Sequence, residues 1–521
     1  MGIPSYYKRL SKSIKNLVVH HRNDGSFKAG ALLFDFNCMI YQVIRSPSMR
    51  PFPGYNHPDA AAWEKDVCQA VVDYTVKVWQ EVGKPKTVFL GLDGVVPMAK
   101  IRQQRLRRFK SIWTAEEEKA RGLRDAEANH WDTNAITPGT EFMEKLGRRL
   151  GDLCKVQNWT LSDTSQQGEG EQKCMRFWRN LPPFDGNIVI YGLDADLILL
   201  CLLTQQLTGR KNSVWCIRET AEWEGGKDKG LAEFMRLSID TLQGTLASPK
   251  MDPLQWTMDY VASMSFLGND FVPHGLSLKI REGGYDRMVK DLHGLHEQGK
   301  TLTRFIEGRG WTYEKESVLE LTKHWELDEE SKILEFMKNK AVRINYEDWQ
   351  MTPCEWKVEE KLLCESRGKL CADWEDRFYR EWFGPGVGRE EACKAYGEGL
   401  QWVLDYYTQQ RPINTLWIYP WSLPPTWRAW RRYLAAASPE NPFQAPSVGD
   451  EKPTEPEEQL AMVLPMESWR LVRTARLRAL PQKFPHYWPK KYGFFSAGKI
   501  FLWECEAEIP LLHLSIVRSM P

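Results

Sequence analysis

Asn187-Ile188-Val189-Ile190-Tyr191-Gly192-Leu193-Asp194-Ala195-Asp196 is a run without a charge until two carboxylates close it. A strand that is apolar at consecutive positions is buried on both faces, the habit of parallel sheets covered by helices. Four further runs share the form: Ala31–Phe36, Thr87–Leu92, Trp159–Asp163 and Val214–Ile217. Asp35 lies in the first, Asp93-Gly94 follow the second, Gly168-Glu169-Gly170-Glu171 come soon after the third, and Arg218-Glu219 follow the last. Between the runs lie helical patterns, such as Phe142, Leu146, Leu150 and Leu153 behind a Thr140 cap. The alternation predicts an α/β fold, a mostly parallel sheet flanked by helices. Ligands of such sheets bind beyond the carboxyl ends of the strands. The acidic residues fall there.

Working outward, residues 1–284 read as the α/β core, and within them Leu254–Leu267 is apolar enough for a buried helix. Residues 114–131 mix both charge signs and read as a solvated helix or an exposed arm. Residues 285–437 form an α-rich second half. Residues 438–458 hold five prolines and six acidic residues against one lysine, the composition of an extended acidic linker or surface loop. Residues 459–521 return to a folded composition and are expected to pack on the core.

Composition narrows the function classes. In 521 residues, 70 Lys and Arg face 69 Asp and Glu, with 42% hydrophobic and 27% charged residues, a soluble globular balance. No run reaches the roughly 18 apolar residues of a membrane span, and Met1-Gly2-Ile3-Pro4 does not open a secretory leader. Eleven cysteines without a CxxC pair argue against a disulfide framework or a cysteine zinc site. They favour a reducing compartment, expected to be cytoplasmic, with a nuclear one left open. A net charge of +1 leaves any polyanion site to local segregation of charge.

Seven carboxylates stand at strand ends or in turn-rich contexts: Asp35, Asp93, Glu169, Glu171, Asp194, Asp196 and Asp270. Singly, an aspartate after a strand is a turn or helix cap. Together they matter, because adjacent strand ends would crowd like charges that need cations or protons to coexist. An all-oxygen set selects hard divalent ions, Mg²⁺ first with Mn²⁺ as substitute. Two such ions about 4 Å apart make a centre that cleaves phosphodiesters.

Lys100–Lys110 carries six basic residues in eleven, and on a helix Lys100, Gln104, Arg107 and Arg108 share a face. Alone, such a run is a solvated cationic helix. Beside a carboxylate–metal centre it suits a terminal phosphate, gripped by Arg forks and a Lys point charge. Tyr41 and Trp417 are the aromatic candidates for stacking unpaired bases.

These residues form an ordered string. Met1–Tyr7, Asp35-Phe36-Asn37, Asp93–Pro97, Gln103–Phe109, Thr137–Met143, Gly168–Glu171, Gly192–Leu197 and Phe266–His274 together resemble the Xrn family of 5′→3′ exoribonucleases, relatives of the flap endonucleases. Weaker echoes at Gly399–Tyr407, Trp417–Pro420, Leu464-Pro465 and Glu508–Pro510 extend the resemblance along the chain, as a minimal core without the further carboxy-terminal modules of large members.

The resemblance implies a PIN-like 5′-nuclease core in which the seven carboxylates hold two Mg²⁺. It implies that Lys100, Gln104, Arg107 and Arg108 receive a 5′-monophosphate. The expected activity is processive, magnesium-dependent degradation of single-stranded RNA to mononucleotides by a monomer, as in RNA and mRNA decay. The alternatives are a structure-specific 5′-flap DNA endonuclease and a non-catalytic RNA-binding scaffold. Tyr41 stands where relatives have a stacking histidine, Met98 where they have arginine, and Thr415 where many have tryptophan.

Overall fold

The structure, a computed structural model, describes residues 5–125, 129–192, 194–220, 233–438, 442–450 and 452–520. Seven strands form the main sheet: β1 (Val18–His20), β2 (Ala29–Asp35), β3 (Thr87–Gly91), β4 (Thr160–Ser162), β5 (Asn187–Tyr191), β6 (Val214–Glu219) and β7 (Phe234–Ser238). Their order is β1-β7-β6-β5-β2-β3-β4. The five runs read from the sequence are the parallel strands β2 to β6. β7 joins β6 antiparallel, and β1 joins β7 antiparallel. The sequence reading did not anticipate those two strands. β1 has only three half-buried residues, and β7 interrupts its apolar run with Arg236.

Strand alternation sorts the core. Leu32, Phe34, Val88, Leu90, Val189 and Tyr191 face one layer, built on α2 (Asn37–Ile44), α3 (Ala60–Glu81) and α5 (Glu141–Gln157). Leu33, Phe89, Ile188 and Ile190 face the other layer, which includes α6 (Gly170–Arg179), α7 (Ala195–Thr208) and helix Pro253–Met264. Burial on both faces is why these strands read as continuous apolar runs. α5 starts as the sequence implies, with Thr140 Oγ1 accepting the Met143 N–H at 3.3 Å.

α1 (Tyr6–Ser13) packs on the second layer, and α4 (Met98–Ala120) carries the basic run. α4 extends to Ala120, so the charged stretch from 114 begins as its last turns; 126–128 lie outside the described residues. The second half is helical, with a hairpin at Thr303–Ile306 and Gly310–Tyr313 that the reading omitted. Its apolar residues, such as Trp325, Trp402 and Trp430, join the same core cluster as Leu33 and Leu199. The boundary at 284/285 is a change of composition, not a break in packing.

Part of the stretch expected as a linker is packed. Phe443 is buried, its ring stacked on Tyr313 at 4.9 Å. Pro456–Glu458 open a helix, Pro456–Val463, capped where Glu458 accepts the Glu455 N–H at 2.8 Å. The acidic composition there reflects a helix N-terminus, where negative charge is favoured. Beyond it, Leu460, Val463, Leu464 and Leu480 close a third apolar cluster with Met98, Ile101 and Phe109 around α4.

Candidate active site

The order β5-β2-β3 sets three carboxyl ends side by side, with Phe34 opposite Tyr191 and Asp35 opposite Gly91. Asp35 ends β2, Asp93 follows β3, and Asp194 follows β5 as the N-cap of α7. Glu169 caps α6, while Glu171 and Asp196 lie in the first turns of α6 and α7. Two helix N-termini thus face the crowd with their positive dipole ends.

Carboxylate oxygens of Asp35, Glu171 and Asp194 lie within 4.8 Å of one another. Asp93 is fixed beside them by the Gly170 N–H at 2.7 Å and Asn37 Nδ2 at 2.9 Å. Gly170 is required there: a Cβ would come 2.5 Å from Gly91 O and 2.7 Å from Asp35 Oδ1. Burial pushes the carboxyl of Asp35 well up, and Asp93 and Asp194 add to it. Burial, then Asp196 and Glu169, do the same to Glu171. Asp196 is 2% exposed and is pushed up to about 7 by burial and by Asp270.

Lys100 joins the remaining two. Its ammonium lies 2.6 Å from Glu169 Oε1 and 2.8 Å from Asp270 Oδ2. Burial works against the charge on Lys100, yet Asp270 and Glu169 hold its pKa well above the usual lysine value. Asp270, despite its burial, is held below the usual carboxylate range by that ammonium. The Tyr406 hydroxyl donates to Glu169 Oε2.

The donors are all oxygens, which fits a hard divalent cation. Asp196 Oδ1 is buried without a hydrogen-bond partner, an orphan that such an ion would satisfy.

The XRN 5′-3′ exonuclease N-terminus family matches residues 1–217. Curated relatives named 5′-3′ exoribonuclease 2 match half of the chain or somewhat more. That of Schizosaccharomyces pombe is 29% identical over 371 residues, 56% of this chain and 36% of its own length. That of Saccharomyces cerevisiae is 30% identical over 361 residues, 56% of this chain and 35% of its own. That of Aspergillus oryzae is 33% identical over 326 residues, 50% of this chain and 31% of its own.

Over its first 217 residues the chain is similar to the Xrn family.

It spans about a third of the length of these curated relatives. Of the phosphate-pocket residues carried over from the Xrn resemblance, Arg107 is exposed on α4, and Gln104 and Arg108 point polar atoms into buried space. Gln104 Oε1 and Arg108 Nη1 have no hydrogen-bond partner, while Arg108 Nη2 donates to Thr137 Oγ1 at 2.8 Å. Burial pulls the Arg108 guanidinium down to about 10, offset in part by nearby Tyr41. Lys100 is the exception. It stands between Glu169 and Asp270 rather than free for a phosphate.

The two stacking candidates differ. Tyr41 is half-buried on α2, with the Arg45 guanidinium 5.7 Å from its ring. Trp417 is 8% exposed and stacks on Trp402 at 5.1 Å, over the bare backbone of Gly399. Its packing is that of a core ring, and no base contact is carried forward for it.

Three supporting residues escaped the sequence reading as site members. Asn37, two positions after Asp35, positions Asp93. Tyr406 reaches Glu169 from 237 residues away, which no local pattern signals. Lys173 Nζ donates to Leu92 O at 2.7 Å and Asp163 O at 2.8 Å, tying β3 and β4 ends to α6. Its spacing of four from Glu169 was the available hint.

Proposed function

We propose that this chain is a Mg²⁺-dependent 5′→3′ exoribonuclease that degrades single-stranded, 5′-monophosphorylated RNA processively to mononucleotides. The observation that carries the reading is the buried, unpartnered Asp196 Oδ1 within a crowd of carboxylates, of which Asp196 and Glu171 are raised by burial and then by their acidic neighbours. All seven acids, Asp35, Asp93, Glu169, Glu171, Asp194, Asp196 and Asp270, would hold the metal. When bound, two such ions supply an activated water and neutralise charge on the leaving oxygen.

The chain's own residues do the rest. Asn37 and the Gly170 N–H keep Asp93 fixed, so no reorganisation is needed at reaction. Gln104, Arg107 and Arg108 offer the terminal phosphate charge-assisted bonds. Lys100 holds Glu169 and Asp270 together; were cations held by those two acids, its ammonium would be available to the terminal phosphate. Tyr41, near Arg108, would stack the first base. The eleven cysteines are all free thiols, which fits a reducing compartment, cytoplasmic or nuclear. Among the described residues no helix is long and apolar enough to cross a membrane.

The test is end chemistry. With Mg²⁺, 5′-monophosphate RNA, 5′-hydroxyl RNA and 5′-flap DNA are incubated separately. Mononucleotide release from the first alone is expected. Internal cutting of the flap substrate alone would make the chain a DNA endonuclease, and binding without cleavage would make it a scaffold. Arg107→Ala should erode the preference for phosphate ends, one such contact being worth roughly 1.5–3 kcal/mol.

A further inference from the structure

Tyr406 and Tyr407 lie in the last turn of the helix Arg389–Thr408, and both are buried. The Tyr406 hydroxyl has a partner in Glu169. Among the described residues the Tyr407 hydroxyl has none, although it is closed off from solvent. A buried hydroxyl without a hydrogen bond destabilises a fold, and phenylalanine would avoid that cost. The charges around it show what it faces. Burial pushes the Tyr407 phenol well above its usual range, and Asp196, Glu171 and Asp270 add to the push, Asp196 foremost. The hydroxyl therefore keeps its proton and stands as a donor beside three of the seven acids.

The backbone that carries Tyr407 is fixed against the site. Arg179 of α6 donates from Nη2 to Tyr407 O at 3.3 Å and to Thr204 Oγ1 of α7 at 3.2 Å, and from Nη1 to Thr408 O. Gln409 ends the helix at φ +52°, its N–H donating to Asp405 O at 2.9 Å. Its Nε2 donates to Gln172 O at 2.9 Å. The end of this helix is thus tied to α6 and α7, whose first turns hold Glu171 and Asp196.

Most of the acids already have donors. Glu169 receives Tyr406 and Lys100. Asp270 receives Lys100 at 2.8 Å and Gln103 Nε2 at 3.4 Å. Asp93 receives Gly170 and Asn37. Asp196, the acid that acts most on Tyr407, keeps Oδ1 buried and unpartnered. A donor without an acceptor and an acceptor without a donor are therefore neighbours.

We propose that Tyr407 is a positioning residue for the metal centre, its hydroxyl donating to the Asp196 carboxylate, directly or through one water, when the acids hold their cations. A carboxylate that ligates a cation is ionised, and an ionised acceptor makes the stronger, charge-assisted bond. Such a bond fixes the orientation of the ligand, which is worth about tenfold to a hundredfold in metal affinity. The proposal rests on the reading of the acids as metal ligands. Tyr396 supplies the contrast: it lies on the same helix with its hydroxyl also buried and unpartnered, but the side chain acting on its phenol is Tyr313 and not a carboxylate.

The experiment uses the full chain without RNA, so that binding is read apart from cleavage. Mn²⁺ is titrated by calorimetry into the metal-stripped parent, Tyr407→Phe and Tyr396→Phe, and melting is followed in EDTA. In EDTA, Tyr407→Phe should melt no lower than the parent, since it removes an unpaired buried hydroxyl. Its Mn²⁺ affinity should fall about tenfold to a hundredfold, while Tyr396→Phe should keep the affinity of the parent. Equal affinity in the parent and Tyr407→Phe overturns the assignment and leaves the metal reading standing. Equal weakening in both variants, or a lower melting temperature for Tyr407→Phe in EDTA, makes the hydroxyl a structural group and overturns it as well. No saturable Mn²⁺ binding by the parent sinks the metal reading itself and the role of Tyr407 with it.

Discussion

Asp196 is the residue at which the electrostatics of the site can be read most directly. Its carboxyl is pushed up to about 7, against an ordinary value near 4, first by burial and then by Asp270. The folded chain therefore holds a proton that the unfolded chain has released between pH 4 and 7. Stability without metal must fall as pH rises through that window. Melting curves in EDTA should show the decline, and Mg²⁺ should reverse it at pH 7.5; a flat profile would contradict the crowding. Asp196→Asn removes the ionisation, so in EDTA at pH 8 it should melt a few degrees above the parent. The same variant should lose the Mg²⁺-dependent rise. Reading Asp196 as a site residue needed only its place after a strand, but its orphaned oxygen needed the fold.

At the scale of elements, the start of α6 is where backbone geometry and charge meet. Gly170 donates to Asp93 and leaves no room for a Cβ against Gly91 O and Asp35 Oδ1. Gly170→Ala should cost about 1–3 kcal/mol by overpacking and displace both aspartates, so RNA decay should fall far more than denaturation midpoints suggest. Gly151→Ala in α5 is the contrast. Its Cβ would meet only Leu161 Cδ2 at 3.9 Å, and the midpoint should rise by about 0.5–1 kcal/mol equivalent. The parallel strands were legible because burial on two faces writes an unbroken apolar run. β1 and β7 were not, because a short half-solvated edge pair carries little such signal. The carboxylates were legible because strand ends and helix caps have local signatures. Tyr406, and the burial of Trp417 on Trp402, depend on contacts far apart in sequence, which spacing cannot encode.

Over the whole molecule, α4 ties the site to the carboxy-terminal segment through Arg105. Its guanidinium is 1% exposed, 4.7 Å from the Phe109 ring and 5.3 Å from that of Trp488. Nη1 donates to Met462 O at 2.8 Å, and Nη2 donates to Tyr487 O. Burial pulls its pKa down to about 9, so the cation is retained at neutral pH by those carbonyls and rings. Arg105→Ala would leave two buried carbonyls unsatisfied and a cavity between Phe109 and Trp488, costing about 3–5 kcal/mol. Because one core runs from Leu33 to Trp430 and α4 closes the third cluster with Leu460 and Leu480, that loss should be shared by the whole chain. Calorimetry should show a single unfolding transition in the parent and a single, lower one in Arg105→Ala. Two transitions in the parent would restore a boundary near 284/285. A variant that loses only a carboxy-terminal transition would show that the segment rests on α4 without supporting it.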